Sequence, residues 1–289
     1  MPNVFLLIAV LVGVELFYRV IVRPRAAELL IERQVMQNQP ASKLNRGHIE
    51  DRPILLIIKD REPETEIIFF IWGMLFLAYK FVVVERERKL LDRDFVPVQP
   101  GERIIPEDSL DRYKELKTTV EREPKWRERL LPECLLAALH RFHATNSIQD
   151  ASAAVRERAE LAADHLDSSL SLIRYIAWSI PAIGFVGTVR GIGDALSFAE
   201  EAIKGNLSAV TTWLGLAFNS TLVGLMLCVV LMYFLHIVQS SQEALIIEIQ
   251  KYCRDKLIDL MKVPVKERPD RHQRDFTRMA ACHINDELR

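Results

Sequence analysis

Residues 179–196 read SIPAIGFVGTVRGIGDAL, and residues 216–228 read LAFNSTLVGLMLC. In the first string Pro181, Gly184, Thr188, Gly191 and Ala195 follow one another at steps of three and four, so they share one helix face, and every residue on it is small or hydroxylic. Ala217, Thr221, Gly224 and Cys228 repeat the pattern in the second string, with Asn219 and Ser220 alongside. Apolar side chains gain little from one another in lipid. Small residues that let backbones approach, and hydroxyls that bond across the contact, therefore mark a packed membrane interface. The spacing of Gly187 to Gly191 adds a GxxxG element to the first helix.

Around these strings the chain has 289 residues, of which 49% are hydrophobic and 27% charged. Both can hold only if the two kinds are segregated along the sequence. Apolar stretches at about residues 4–22, 67–84, 172–195 and 214–238 each approach the roughly 20 residues that a helix needs to cross a bilayer core. The expected fold is all-α, a polytopic membrane protein with four transmembrane helices and a helical cytoplasmic extension. Its expected parts are two N-terminal spans with their connection (1–84), a cytoplasmic helical insert (85–171), a membrane hairpin (172–238), a cytoplasmic extension of the last helix (239–262) and a charged tail (263–289).

Basic residues set the expected orientation. Residues 85–171 hold fifteen Lys and Arg and residues 239–289 hold ten, whereas residues 197–213 hold only Lys204. By the positive-inside rule the first two segments lie in the cytoplasm, the third faces outward, and both termini are cytoplasmic. Residues 23–66 then fall on the periplasmic side with eight Lys and Arg, two of them directly after the first span, which is unusual for an exported loop. Within the insert a helix start is expected at Asp108-Ser109. Pro124 and Pro132 divide the next stretch into short helices. From Ser147 an Ala-rich helix runs into the third span without Gly or Pro, and the fourth span continues to about Met261.

Other groups point to structure more than to chemistry. Glu15 and Arg19 lie one helical turn apart and are expected to pair, as are Arg190 and Asp194. Lys80 should extend its ammonium toward the headgroups. His140 and His143 are one turn apart without an evident third ligand, which favours surface or partner contact over a metal. Cys134, Cys228, Cys253 and Cys282 lack the short paired spacing of a zinc or redox motif, and Cys228 reads as a small packing residue. A near-neutral net charge argues against nucleic acid, and no Gly-rich loop ending in Lys-Ser or Lys-Thr is present for nucleotide hydrolysis. The reading is of a protein that is not an enzyme and needs no cofactor or metal.

The two strings together resemble the MotA/TolQ/ExbB proton channel family. GFVGTVRGI (184–192) resembles the GxxGTVxGI segment of the TolQ and ExbB branch, and Ser220-Thr221 with Gly224 resembles the start of that family's final span. Arg190 stands where an aromatic residue is often found, and Leu216 where ExbB carries an acid. The resemblance implies a bacterial inner-membrane homo-oligomer, a pentamer, enclosing a dimeric single-span partner of the MotB/TolR/ExbD kind whose aspartate carries the proton. It places Thr188 and Thr221 on the ion pathway, to which Ser220 and Asn219 beside them are assigned as well, while the spacing of small residues assigns Pro181, Gly184, Gly187, Gly191, Ala217 and Gly224 to helix packing. Neither small-residue face carries a carboxylate, so the hairpin cannot titrate by itself, and protons are favoured over sodium. The competing expectation is a scaffold whose hairpin conducts nothing and whose cytoplasmic helices assemble other proteins.

Overall fold

A computed structural model describes residues 2–37, 57–58, 60–98, 102–127, 129–205 and 207–263. The expected charged tail lies almost wholly outside them. Helix α1 (Pro2–Phe17) passes through a π-helical turn (Tyr18–Val22) into α2 (Arg23–Gln37), and α3 spans Arg61–Arg88. Helices α4 (Pro106–Arg122) and α5 (Leu130–Thr145) come next. The long α6 (Ile148–Ser197), the short α7 (Ala199–Ile203) and the long α8 (Ser208–Lys256) complete the order, with a 3-10 turn at Ile258–Leu260.

Helix ends obey local chemistry. Ser147 accepts the Asp150 amide on its hydroxyl at 3.2 Å and so starts α6. Asn146, at φ 53°, closes α5 in the left-handed conformation that an Asn tolerates. Helix α4 begins earlier than Asp108-Ser109, because Pro106 supplies a fixed φ and has no amide hydrogen to leave unpaired. Ser109 instead donates back to the Pro106 carbonyl at 2.6 Å. Pro132 sits in the first turn of α5 for the same reason and does not interrupt it. With 49 residues α8 is on the order of 70 Å long, as is α6 with its 50.

Among the described residues three helices are long and apolar enough to cross a membrane: α3, α6, and α8 with its terminal turn. The fourth expected span falls on α1, whose 16 residues stop at the π-helical turn. The connection after it opens as a helix, α2, and not as a loop.

The chain divides into two compact units, each drawn from distant parts of the sequence. The described residues of 1–89 and 162–246 form the first. Its core takes Val10, Val14, Tyr18 and Val22 at steps of four from the N-terminal run, and Trp72, Phe76 and Leu77 from α3. Leu170, Ile173, Ile176 and Ile180 of α6 and Leu231, Leu235 and Val238 of α8 complete it. Arg23, awkward as an exported charge, donates to Glu64 of α3 at 3.0 Å. The described residues of 90–161 and 247–263 form the second unit. There Leu131, Cys134, Leu135, Leu139 and Phe142 of α5 are fully buried, as are Ile249, Cys253 and Leu257 near the end of the chain's last long helix. Ile104 exchanges two backbone hydrogen bonds with the terminal turn, to Leu260 and from Lys262, at 2.9 and 2.8 Å.

Candidate functional site: a three-helix junction

Gly184, Gly187 and Gly191 of α6 lie against Ala217, Ser220 and Thr221 of α8. A Cβ added to Gly191 would lie 2.7 Å from the Ala217 Cβ, and one added to Gly184 would lie 3.1 Å from both the Ser220 carbonyl oxygen and the Thr221 Cα. No side chain fits there. One added to Gly187 would overlap the Ser220 hydroxyl. The absent side chains are therefore what lets the α6 and α8 backbones touch.

Hydroxyls stitch this contact. Thr188 and Thr221 hydrogen-bond to each other through their side-chain oxygens. The Thr188 hydroxyl also lies 3.0 Å from the Ala217 carbonyl, while those of Thr221 and Ser220 reach the Gly184 carbonyl at 3.0 and 3.3 Å. Ser220 is buried, and Thr188, Thr221 and Asn219 are half-buried.

Further along α6, Pro181 has no amide hydrogen for the carbonyl of Ala177, four residues earlier. Cys228 supplies the substitute, its thiol donating to that carbonyl at 3.1 Å. The cysteine is thus more than a small packing residue. It completes the backbone bonding that the proline interrupts.

Helix α3 adds what the hairpin strings lack. Glu66 is fully buried, and neither of its carboxyl oxygens has a hydrogen-bond partner among the described residues. Its Oε1 fills the space over two glycines, 2.8 Å from where a Cβ on Gly184 would stand and 3.0 Å from where one on Gly224 would. One turn earlier Glu62 makes a two-point ion pair with Arg190, at 2.5 and 3.1 Å. This corrects the expected pairing of Arg190 with Asp194, since a guanidinium takes both oxygens of a facing carboxylate when another helix presents one. The Glu15 to Arg19 pair forms as expected, at 2.9 Å. Lys80 stands 5.5 Å over the Phe76 ring. His143 bonds the Pro106 carbonyl and His140 packs on Tyr113, and no group of metal-binding side chains occurs among the described residues.

Glu66 escaped the sequence reading because an apolar window opens at Ile67 and leaves the carboxylate outside. Its register was the available signal. Glu66, Gly73, Leu77 and Val84 fall on one stripe at steps of seven and four, and all are buried.

The glycine and threonine strings sit inside a longer match. Residues 127–251 match the MotA/TolQ/ExbB proton channel family. The MotA/TolQ/ExbB match begins ahead of α5 and ends near the C-terminus of α8, so it takes in helices of the second unit as well as the hairpin. No curated protein and no solved structure matches the chain.

Proposed function

We propose that this chain is the channel subunit of an inner-membrane motor driven by the proton-motive force. In this reading five copies enclose a dimer of a single-span partner whose membrane aspartate binds and releases the proton, with α1 as a fourth span and both termini in the cytoplasm. The observation that carries it is the Thr188 to Thr221 hydroxyl pair, held between two side-chain-poor helices inside the stretch that matches a proton channel family. Such hydroxyls both donate and accept, so they can pass a hydrogen bond to an incoming carboxyl or water without carrying charge themselves. Helix α6 and the C-terminal part of α8 connect that pair covalently to the second unit, where force would be received or delivered.

The test separates conduction from assembly. The Gly184 carbonyl is within reach of three hydroxyls, so removing one leaves it satisfied. Thr221→Val and Thr188→Val are expected to assemble with the partner in unchanged subunit ratio yet lose proton flux into proteoliposomes by at least about tenfold, a barrier change of about 1.4 kcal/mol. Full flux in both variants returns the hydroxyls to helix packing. A wild-type complex that passes no protons leaves the scaffold reading.

A further inference from the structure

We propose that Glu66 is a proton-binding site that this chain itself contributes to the conduction path, which rests on the channel reading above. The hairpin strings hold no acid on their small-residue faces, and a channel read from them alone would depend wholly on its partner for one. Three observations converge on Glu66. It is fully buried in the membrane unit, so its carboxyl is not a solvated surface group. Both of its oxygens lack a partner among the described residues, although a buried acid held for structure normally carries its hydrogen bonds with it. The space around Oε1 exists because Gly184 and Gly224, on two different helices, have no side chain there. Gly184 is also the residue whose carbonyl receives the Ser220 and Thr221 hydroxyls, so the acid and the hydroxyl cluster meet at one residue.

The neighbouring charges leave Glu66 distinct. On its own helix, Glu62 is paired with Arg190 of α6 and Glu64 with Arg23 of α2. The Tyr18 hydroxyl of the π-helical turn is buried without a hydrogen-bond partner among the described residues, and α8 presents Ser220 and Thr221, with no charged side chain among its buried residues there. Beyond Glu66 the stripe becomes apolar, with Gly73 against Leu231 and Ile176. Protonation forms one O–H bond on the carboxylate and cancels its charge. Release breaks that bond and hands the proton to water or a hydroxyl oxygen, and nothing is oxidised or reduced. An acid at the edge of the apolar core, beside a hydroxyl cluster, is placed to relay protons between that cluster and one face of the membrane.

The complex of this chain with its partner, reconstituted in proteoliposomes, distinguishes this inference from the channel reading. Wild-type complex without proton flux defeats the channel reading and this inference with it. Where wild type conducts, Glu66→Gln is expected to assemble in the same subunit ratio and lose flux at least about tenfold, with Glu66→Asp keeping part of it. A purely structural Glu66 would tolerate the isosteric amide, so unchanged flux in Glu66→Gln overturns the inference. A second measurement covers a variant that fails to assemble. Dicyclohexylcarbodiimide, which reacts with protonated buried carboxyls, should modify Glu66 of the wild-type complex, as located by peptide mass, with a yield that falls as pH rises and with flux lost in proportion. No adduct at Glu66, or a yield independent of pH, overturns the inference equally.

Discussion

At the scale of single residues, the glycines of the hairpin are not interchangeable. Gly184 faces the Ser220 carbonyl, the Thr221 Cα and Glu66, whereas Gly193, nine residues on in the same helix, has open space where its Cβ would be. Gly184→Ala must push backbones apart and is expected to cost about 1–3 kcal/mol. Gly193→Ala should stabilise α6 by up to about 1 kcal/mol through helix propensity. Thermal unfolding of the two variants in the same detergent checks the contrast, and equal melting temperatures would count against the packing described. The Glu62 to Arg190 pair can be tested likewise. Arg190 keeps half of its side chain exposed, so a double-mutant cycle should return about 1 kcal/mol or less, most of it lost at high salt. Periodicity alone places Gly184 and Thr188 on a buried face. It points Arg190 to Asp194, one turn away, and misses Glu62, which lies 128 positions away and cannot be chosen by spacing within one helix.

At the scale of elements, α6 carries a proline in its interior and yet continues to Ser197. The orphaned Ala177 carbonyl is met from α8 by Cys228. Cys228→Ala should therefore destabilise the hairpin by about 1 kcal/mol. In a Pro181→Ala background the Ala177 carbonyl regains an amide donor within its own helix, and the cysteine change should then cost far less. Unfolding of the four proteins in that cycle measures the coupling; equal effects of Cys228→Ala in both backgrounds would rule it out. Both long helices were legible in the sequence, because apolar run length and helical spacing are local properties and an interior proline or glycine is tolerated in a membrane span. The exact start of α4 and the break after α1 were not. Pro106 outcompetes the Asp108-Ser109 cap, and the π-helical turn at Tyr18–Val22 leaves no trace in hydropathy.

At the scale of the whole molecule, the second unit joins the insert after α3 to the end of α8, and two of its cysteines report on that union. Cys134 and Cys253 come from elements more than a hundred residues apart, and both are fully buried. In the native protein they should resist maleimide for far longer than they do after unfolding, as read by peptide mass. Rapid labelling of both in the intact complex would show that the unit does not hold together. The surface of the first unit is apolar in its own right: Phe185, Val189 and Leu196 of α6 and Phe218, Leu222 and Val229 of α8 are exposed. The chain is accordingly expected to stay in the membrane fraction after an alkaline carbonate wash and to require detergent for extraction.

The residues by themselves determined that helices long and apolar enough to cross a bilayer form and that two of them carry faces of glycine and threonine, since span length and face composition are written within about twenty consecutive positions. Only the tertiary structure decided which helix supplies an acid to that contact, what Arg190 binds and which carbonyl Cys228 satisfies. Each of those depends on a single atom-to-atom approach between segments far apart in the chain, and no local pattern encodes the rotation that brings Glu66 over Gly184 and Gly224.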